Sequence, residues 1–193
     1  DERADTKLTS ELGSRGRLEL AQGYVLELQR APEGSNGDMM NVHVLAPSVE
    51  GVWNALTTMR QLGMSSNCEV VRAHEAVRVV DAPRFRHRVA QLDISRNRVP
   101  RLEWLERVVP NLARLKFNQL QLYSEGHTIE HAAARLKPAS AAYAREALSH
   151  ADVEAIDLLC ARHMMQLVPV QETLGHLHRI LRLPEFNDLA ETP

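Results

Sequence analysis

The chain has 193 residues, of which 44% are hydrophobic and 25% charged, a balance typical of an ordinary globular protein. A formal charge of −2, with Lys and Arg scattered among the acids, gives no electrostatic case for nucleic acid or an anionic membrane surface. Aromatic residues at 4% are too few for base-stacking platforms, and no apolar run approaches the roughly 20 residues that a bilayer span needs.

The length allows one large domain or two small ones. The first half reads as a small α+β unit. Tyr24 to Leu28 alternates apolar and polar as a half-buried strand does. Pro32 to Asp38 is rich in turn formers, and Asn41 to Ala46 forms a second strand, which predicts a hairpin. Helical spacing then places Val52, Ala55, Leu56, Met59 and Leu62 on one face, with Gly63 at the C-cap. A third strand is predicted at Val77 to Val80, ending at Ala82-Pro83, where the chain leaves regular structure.

The second half alternates strand and helix. A strand at Ala90 to Ile94 is followed by a helix from about Arg101 to Leu115, with Leu102, Leu105, Val109 and Leu112 on its stripe. Pro110 lacks a backbone donor and predicts a kink or break in that helix. Asn118 to Tyr123 is the next strand. Ser149 and Asp152 make a capping-box-like start for a helix carrying Val153, Ile156 and Leu159 or Cys160, and Met165 to Val170 is the last strand. Such alternation predicts a parallel sheet built by right-handed crossovers. The change of rhythm falls in the Pro- and Arg-rich stretch Ala82 to Arg88, giving domains at 1–84 and 85–193.

Cysteine usage is sparse. Cys68 and Cys160 have no metal-type spacing and make no disulfide framework, so they read as two buried thiols. Compartment stays open, leaning toward a reducing, cytoplasmic one. The chain begins at Asp1 without an apolar leader, so any leader is expected to lie outside this sequence.

Four ordered motifs carry a resemblance. Gly51-Val-Trp53 and Leu56 to Leu62 resemble the "G, aromatic, then TLxQL" helix of the domain that precedes the barrel in family 20 glycoside hydrolases. Asp81-Ala-Pro83-Arg-Phe85-Arg-His-Arg88, running into Leu92-Asp93-Ile94-Ser95-Arg96, is similar to that family's "D-x-P-R-F-x-x-R-G" entry and "L-D-x-x-R" first barrel strand. A family 84 enzyme would carry a glycine-rich first strand instead. Lys116-Phe117-Asn118 with Leu120 resembles the second strand, "K-x-N-x-L". Val168-Pro169 through Gly175-His176 is similar to the third strand and its loop, "P-E-x-D-x-P-G-H". Together the motifs extend over residues 20–193.

The resemblance implies an α/β fold class: a small α+β domain followed by the first three βα units of an incomplete (β/α)8 TIM-type barrel. It also implies a β-N-acetylhexosaminidase-like activity on terminal N-acetylglucosamine or N-acetylgalactosamine, by substrate-assisted retaining hydrolysis without metal or organic cofactor. Arg96, at the C-terminal end of a barrel strand, would hold two sugar hydroxyls through its planar guanidinium. His176 would line the sugar pocket and support the catalytic acid. Glu172 and Glu125 are the acidic candidates at the same rim.

Departures from the pattern accompany the matches. Gln121 and Tyr123 stand where many members have histidines. The family's catalytic Asp-Glu pair follows a fourth strand and is expected beyond Pro193, so the chain alone is expected to be inactive. The alternative is a truncated or degenerate, non-catalytic carbohydrate-binding or interaction module. An open partial barrel is expected to be covered by the remainder of the barrel or by self-association. His127 and His131 share helical spacing but lack a third ligand, so no metal site is expected. Trp53 and Trp104 read as packing between domains rather than sugar platforms.

Overall fold

The structure is a computed structural model and describes residues 10, 21–30, 40–63, 76–95, 98–125 and 147–191. Its contacts divide the chain into two compact units, Asp1–Arg86 and His87–Pro193. The expected turn at Pro32 to Asp38 lies outside the described residues, as do Cys68, Arg96, His127 and His131.

In the first unit, β1 (Tyr24–Arg30) pairs antiparallel with both β2 (Met40–Leu45) and β3 (Ala76–Asp81), giving the order β2-β1-β3. The hairpin pairing of β1 with β2 is therefore as expected. Helix α1 (Val49–Gln61) packs on one face of this sheet. Alternation sends Tyr24, Leu26 and Leu28 to that face, all essentially buried, where they meet Ala55 and the partly buried Met59 and Leu62. Val25 faces the other way, against Ala82 and Leu45.

The helix does not bury the stripe its large residues suggested. Ala55, Met59 and Leu62 pack inward, but Val52 and Leu56 are exposed. The buried positions are Gly51, Asn54, Ala55, Thr57 and Thr58, mostly small side chains that let helix and sheet approach closely. The Asn54 amide donates to the carbonyl of Gln22 (2.9 Å), and the N-cap Ser48 accepts from the amide of Gly51 (3.1 Å). Gly63 follows the helix in the left-handed region (φ 78°), as a C-cap glycine should. Beneath Thr58, the Tyr24 hydroxyl donates to Asp81 Oδ2 (3.0 Å) and accepts from Thr58 (2.6 Å).

In the second unit, β4 (Val89–Asp93), β5 (Gln119–Ser124) and β6 (Gln166–Gln171) form a parallel sheet in that order. Between the strands lie α2 (Leu102–Arg114) and α3 (His150–Arg162), which pack on each other, and α3 packs on β6. Leu105, Val109 and Ala113 from α2, Leu120 and Leu122 from β5, and Ile156 and Cys160 from α3 are buried. Cys160 is a free buried thiol, pushed up to about 11 by burial and by the negative charge of Asp157.

The helix termini explain much of the local sequence. Ser149 and Asp152 form the complete reciprocal box: the Asp152 amide donates to Ser149 Oγ (3.1 Å) and the Ser149 amide to Asp152 Oδ2 (2.9 Å). At the other ends, α2 and α3 close with the same double bond. Phe117 N–H donates to Leu112 O and Lys116 N–H to Ala113 O, while Met165 N–H donates to Cys160 O and Met164 N–H to Ala161 O. The left-handed residue of each motif is not glycine but Lys116 (φ 62°) or Met164 (φ 54°).

One expectation is corrected. Pro110 neither ends nor interrupts α2, whose assignment runs through it to Arg114. Proline removes one donor, to the carbonyl four residues earlier, and the turn is reinforced nearby by the Asn111 amide donating to Arg107 O (2.8 Å). Leu105, Val109 and Ala113, on both sides of the proline, are buried and hold the two ends of the helix to the core.

Two motif residues hold the start of the sheet. The Arg88 amide donates to Asn118 Oδ1 (2.8 Å), and its guanidinium donates to the carbonyl of Lys116. Arg88 and Asn118, both part of the resemblance, thus fix where β4 and β5 begin.

Candidate functional site

The three parallel strands deliver their C-terminal ends to one rim. At the end of β4, Asp93 Oδ1 accepts from the amide of Ser95 (2.9 Å) and from its hydroxyl, a tight local turn ahead of Arg96. Ser95 is buried, whereas Arg96 itself lies outside the described residues. Ile94 N–H donates to Tyr123 O, and Glu172 N–H donates to Ser124 O, so the bonding continues one residue past the ends of β4 and β6.

Beyond β5 and β6 the structure brings Tyr123, Glu125, Glu172 and His176 together. Tyr123 and Glu125 are two residues apart near the strand end, which turns both to one side. The Tyr123 hydroxyl donates to Glu125 Oε1 at 3.1 Å. His176 Nδ1 lies 3.8 Å from the same oxygen, an ion-pair distance when the ring is protonated and too long for a hydrogen bond. The two partners differ in access: the His176 side chain is 57% exposed and that of Glu125 only 14%. Desolvation, then hydrogen bonding and negative charge from Glu125 and Glu172, push the Tyr123 phenol up to about 12. The phenol is therefore a firm donor throughout the physiological range.

Backbone geometry aims the histidine. His176 sits in the left-handed region (φ 56°), which histidine tolerates better than β-branched residues do. The strained position is His176 rather than the preceding glycine. A Cβ on Gly175 would meet Glu172 Oε2 at 3.7 Å, ordinary contact, so the Gly175 peptide rests beside that carboxylate without crowding.

Of the expected site residues, His176, Glu125 and Glu172 therefore converge at one corner. Tyr123, which stands in the sequence only as a departure from a histidine, joins them. Its signal was the spacing Tyr123-Ser124-Glu125 at a strand end, which places a donor and an acceptor on the same side. Among the described residues, no group of three or more His, Cys, Asp and Glu side chains is placed to hold a metal ion. No helix of the described residues is long and apolar enough to cross a membrane.

A second concavity of about 860 Å³ lies within the second unit, between the starts of α2 and α3. Leu102, Trp104, Leu148 and Ile156 line it with Arg101 and Arg107, and Trp104 is 40% exposed. Arg101, Glu103 and Arg107 on its lining are exposed, and Asp152 is bonded to Ser149 in the capping box.

No family model matches the chain, and no curated protein matches it. Solved structures do. A glycoside hydrolase family 20 β-N-acetylglucosaminidase matches over 94% of this chain, at 23% identity and a TM-score of 0.58. The chain has the fold of the family 20 glycoside hydrolases. The β-N-acetylhexosaminidase of Streptomyces coelicolor matches over 87% (21% identity, TM-score 0.55). The Vibrio harveyi exo-β-N-acetylglucosaminidase, solved in complex with N-acetylglucosamine, matches over 86% (15% identity, TM-score 0.55). The chain spans 39%, 39% and 27% of these three chains, so it corresponds to a part of each.

Proposed function

We propose that the chain is the sugar-recognising portion of a β-N-acetylhexosaminidase-type glycoside hydrolase. The observation that carries this reading is the convergence of His176, Glu125 and Glu172 at the strand ends, in a fold shared with such enzymes. Parallel βα units gather ligand-binding groups at the C-terminal ends of their strands.

Chemically, the site suits hydroxyl recognition. Arg96 would offer paired donors to adjacent sugar hydroxyls. His176, largely open to solvent, would accept from or donate to a further hydroxyl. Cleavage in this family needs no second protein carboxylate as nucleophile, because the N-acetyl oxygen of the substrate attacks the anomeric carbon. An adjacent Asp-Glu pair then does the protein's part, the Asp orienting the acetamido group and the Glu acting as general acid and later base. Hydrolysis is therefore assigned to a protein in which these strands are joined by the rest of the catalytic domain, with the 85–193 segment as the first part of its barrel.

A second reading is a module that binds sugar without cleaving it. It is favoured by Gln121 and Tyr123, which stand where many members of the family have histidines. Titrating the chain with N-acetylglucosamine, followed by NMR chemical shifts, tests the recognition common to both. Saturable binding is expected, weakened about tenfold or more by Arg96→Ala or His176→Ala. Absence of saturable binding would overturn both readings. Release of the chromophore from an aryl N-acetyl-β-glucosaminide by the 193-residue chain would instead overturn the assignment of cleavage to residues outside it.

A further inference from the structure

The concavity of about 860 Å³ between the starts of α2 and α3 shares no lining residue with the strand-end corner. Its volume lies within the roughly 300–1,000 Å³ of small-molecule sites, and its lining has two characters. Leu148 and Ile156, both buried, and half-buried Leu102 make part of it apolar. Beside them Trp104 leaves 40% of its surface open, a flat ring that also carries an N–H donor. Trp104 and Arg107 stand three residues apart on α2, which turns both to one side of the helix. Arg101, Glu103 and Arg107 supply the charges. Among the described residues, these three side chains have no hydrogen-bond or ion-pair partner. Asp152, the remaining acid on the lining, is held by Ser149 in the capping box.

We propose that this concavity is a second carbohydrate-binding site, taking a neutral pyranose ring of an oligosaccharide against Trp104. The mixture of charges decides the ligand class. An anionic ligand would meet Glu103, and a cationic one would meet the two arginines. A wholly apolar ligand would strip water from all three charges without replacing it. Sugar hydroxyls donate and accept at once, so they pair with the planar guanidinium forks and with the carboxylate alike. The C–H face of the same ring is apolar and suits a flat indole flanked by leucine and isoleucine. Because the ligand class follows from this lining, the inference goes beyond the reading of the strand-end corner and does not depend on it.

The test follows Trp104 directly. The chain has two tryptophans, so fluorotryptophan labelling gives a simple fluorine NMR spectrum, with Trp104 assigned by loss of its signal in Trp104→Phe. Chitotriose, a chain of β-linked N-acetylglucosamine rings, is the probe. A saturable shift of the Trp104 signal is expected, with affinity lowered about tenfold or more by Arg107→Ala and changed less than about twofold by His176→Ala. No saturable response at Trp104 would overturn the proposal, whatever the strand-end residues do. So would a response abolished by His176→Ala, which would belong to sugar bound at the corner. Shielding of Trp104 fluorescence from acrylamide in sugar-free Trp53→Phe would overturn it too, because another part of the chain or a second copy would then fill the concavity. If Trp104→Phe does not fold, Trp53→Phe assigns the signal by elimination. If Arg107→Ala does not fold, Arg101→Ala replaces it with the same loss expected. A Trp104 response that survives His176→Ala while the corner takes no sugar would uphold this site and overturn only the reading of the corner.

Discussion

A Cβ placed on Gly51 would lie 2.5 Å from the carbonyl oxygen of Gly23 and 2.9 Å from Cβ of Ala46. Neither neighbour is the movable end of a long side chain, so the helix or the strand entry would have to shift. Helix propensity pulls the other way, favouring alanine over glycine by about 1 kcal/mol. Overpacking against backbone costs about 1–3 kcal/mol and should win. Gly51→Ala is therefore expected to lower the urea midpoint of the chain with little change in slope; a midpoint at or above the parent's would contradict the close packing of α1 on β1. The hydroxyl of Tyr24 makes a similar case. Tyr24→Phe removes the hydroxyl bonded to buried Thr58 and to the part-buried Asp81 carboxylate, and calorimetry should show a loss of about 1–3 kcal/mol. These residues also show what the resemblance was reading. Asp81, Arg88 and Asn118 belong to the motifs, yet their partners include Tyr24, Lys116 O and, for Arg88 and Asn118, each other. Part of the family pattern thus records how the strands are started, and only part records chemistry at the rim.

At the scale of elements, helix starts were easier to read than helix ends. Ser149 and Asp152 announce α3 because the capping box needs a hydroxyl and an acid three residues apart. The ends of α2 and α3 carry no glycine, so nothing in the sequence marks Lys116 and Met164 as left-handed. Tertiary packing holds them there at a cost that glycine would not incur. Lys116→Gly and Met164→Gly are each expected to stabilise the fold by up to about 1 kcal/mol, the gain being limited by the extra freedom glycine gives the unfolded chain. A rise in melting temperature checks this, and a fall in both would mean that side-chain packing outweighs the backbone term. The capping box also sets a pH dependence. Hydrogen bonds from the Ser149 hydroxyl and amide hold the Asp152 carboxyl below its ordinary 3.8. A lowered carboxylate contributes stability that is fully present above 3.8 and is lost as pH falls through its folded value. Asp152→Asn should accordingly flatten the acid limb of the stability curve while leaving its shape above pH 5 unaltered. The outward turn of Val52 and Leu56 was not legible for a related reason. Periodicity ranks large apolar residues first, whereas α1 docks through small ones.

For the whole molecule, the order of elements was legible because parallel strands need crossovers, and alternation of strand and helix leaves few other arrangements. The rim cluster was only half legible: its acids and histidine stand in the motifs, but no spacing rule says that the Tyr123 hydroxyl and the His176 ring will face one carboxylate oxygen. What alternation does not disclose is how the sheet manages its edges. Among the described residues, no strand pairs with the outer side of β4 or β6. The amides of Gln166 and Glu172 point inward, to Asn118 O and Ser124 O, so those of 168 and 170 do too, while positions 167, 169 and 171 face the open side. Pro169 falls on that open side. It therefore costs no ladder bond, and it removes one donor from an edge that would otherwise offer a continuous row of unpaired groups. A net charge of only −2 adds little repulsion between copies of the chain. Pro169→Val restores the edge amide and raises strand propensity at once, so the variant should self-associate at a lower protein concentration than the parent. Sedimentation velocity over a concentration series measures this directly. The β5–β6 ladder is untouched by the change, so circular dichroism and the Tyr123 titration should stay as they are in the parent. If the variant sediments like the parent across the series, the β6 edge is covered in solution, and protection by Pro169 is not what keeps copies apart.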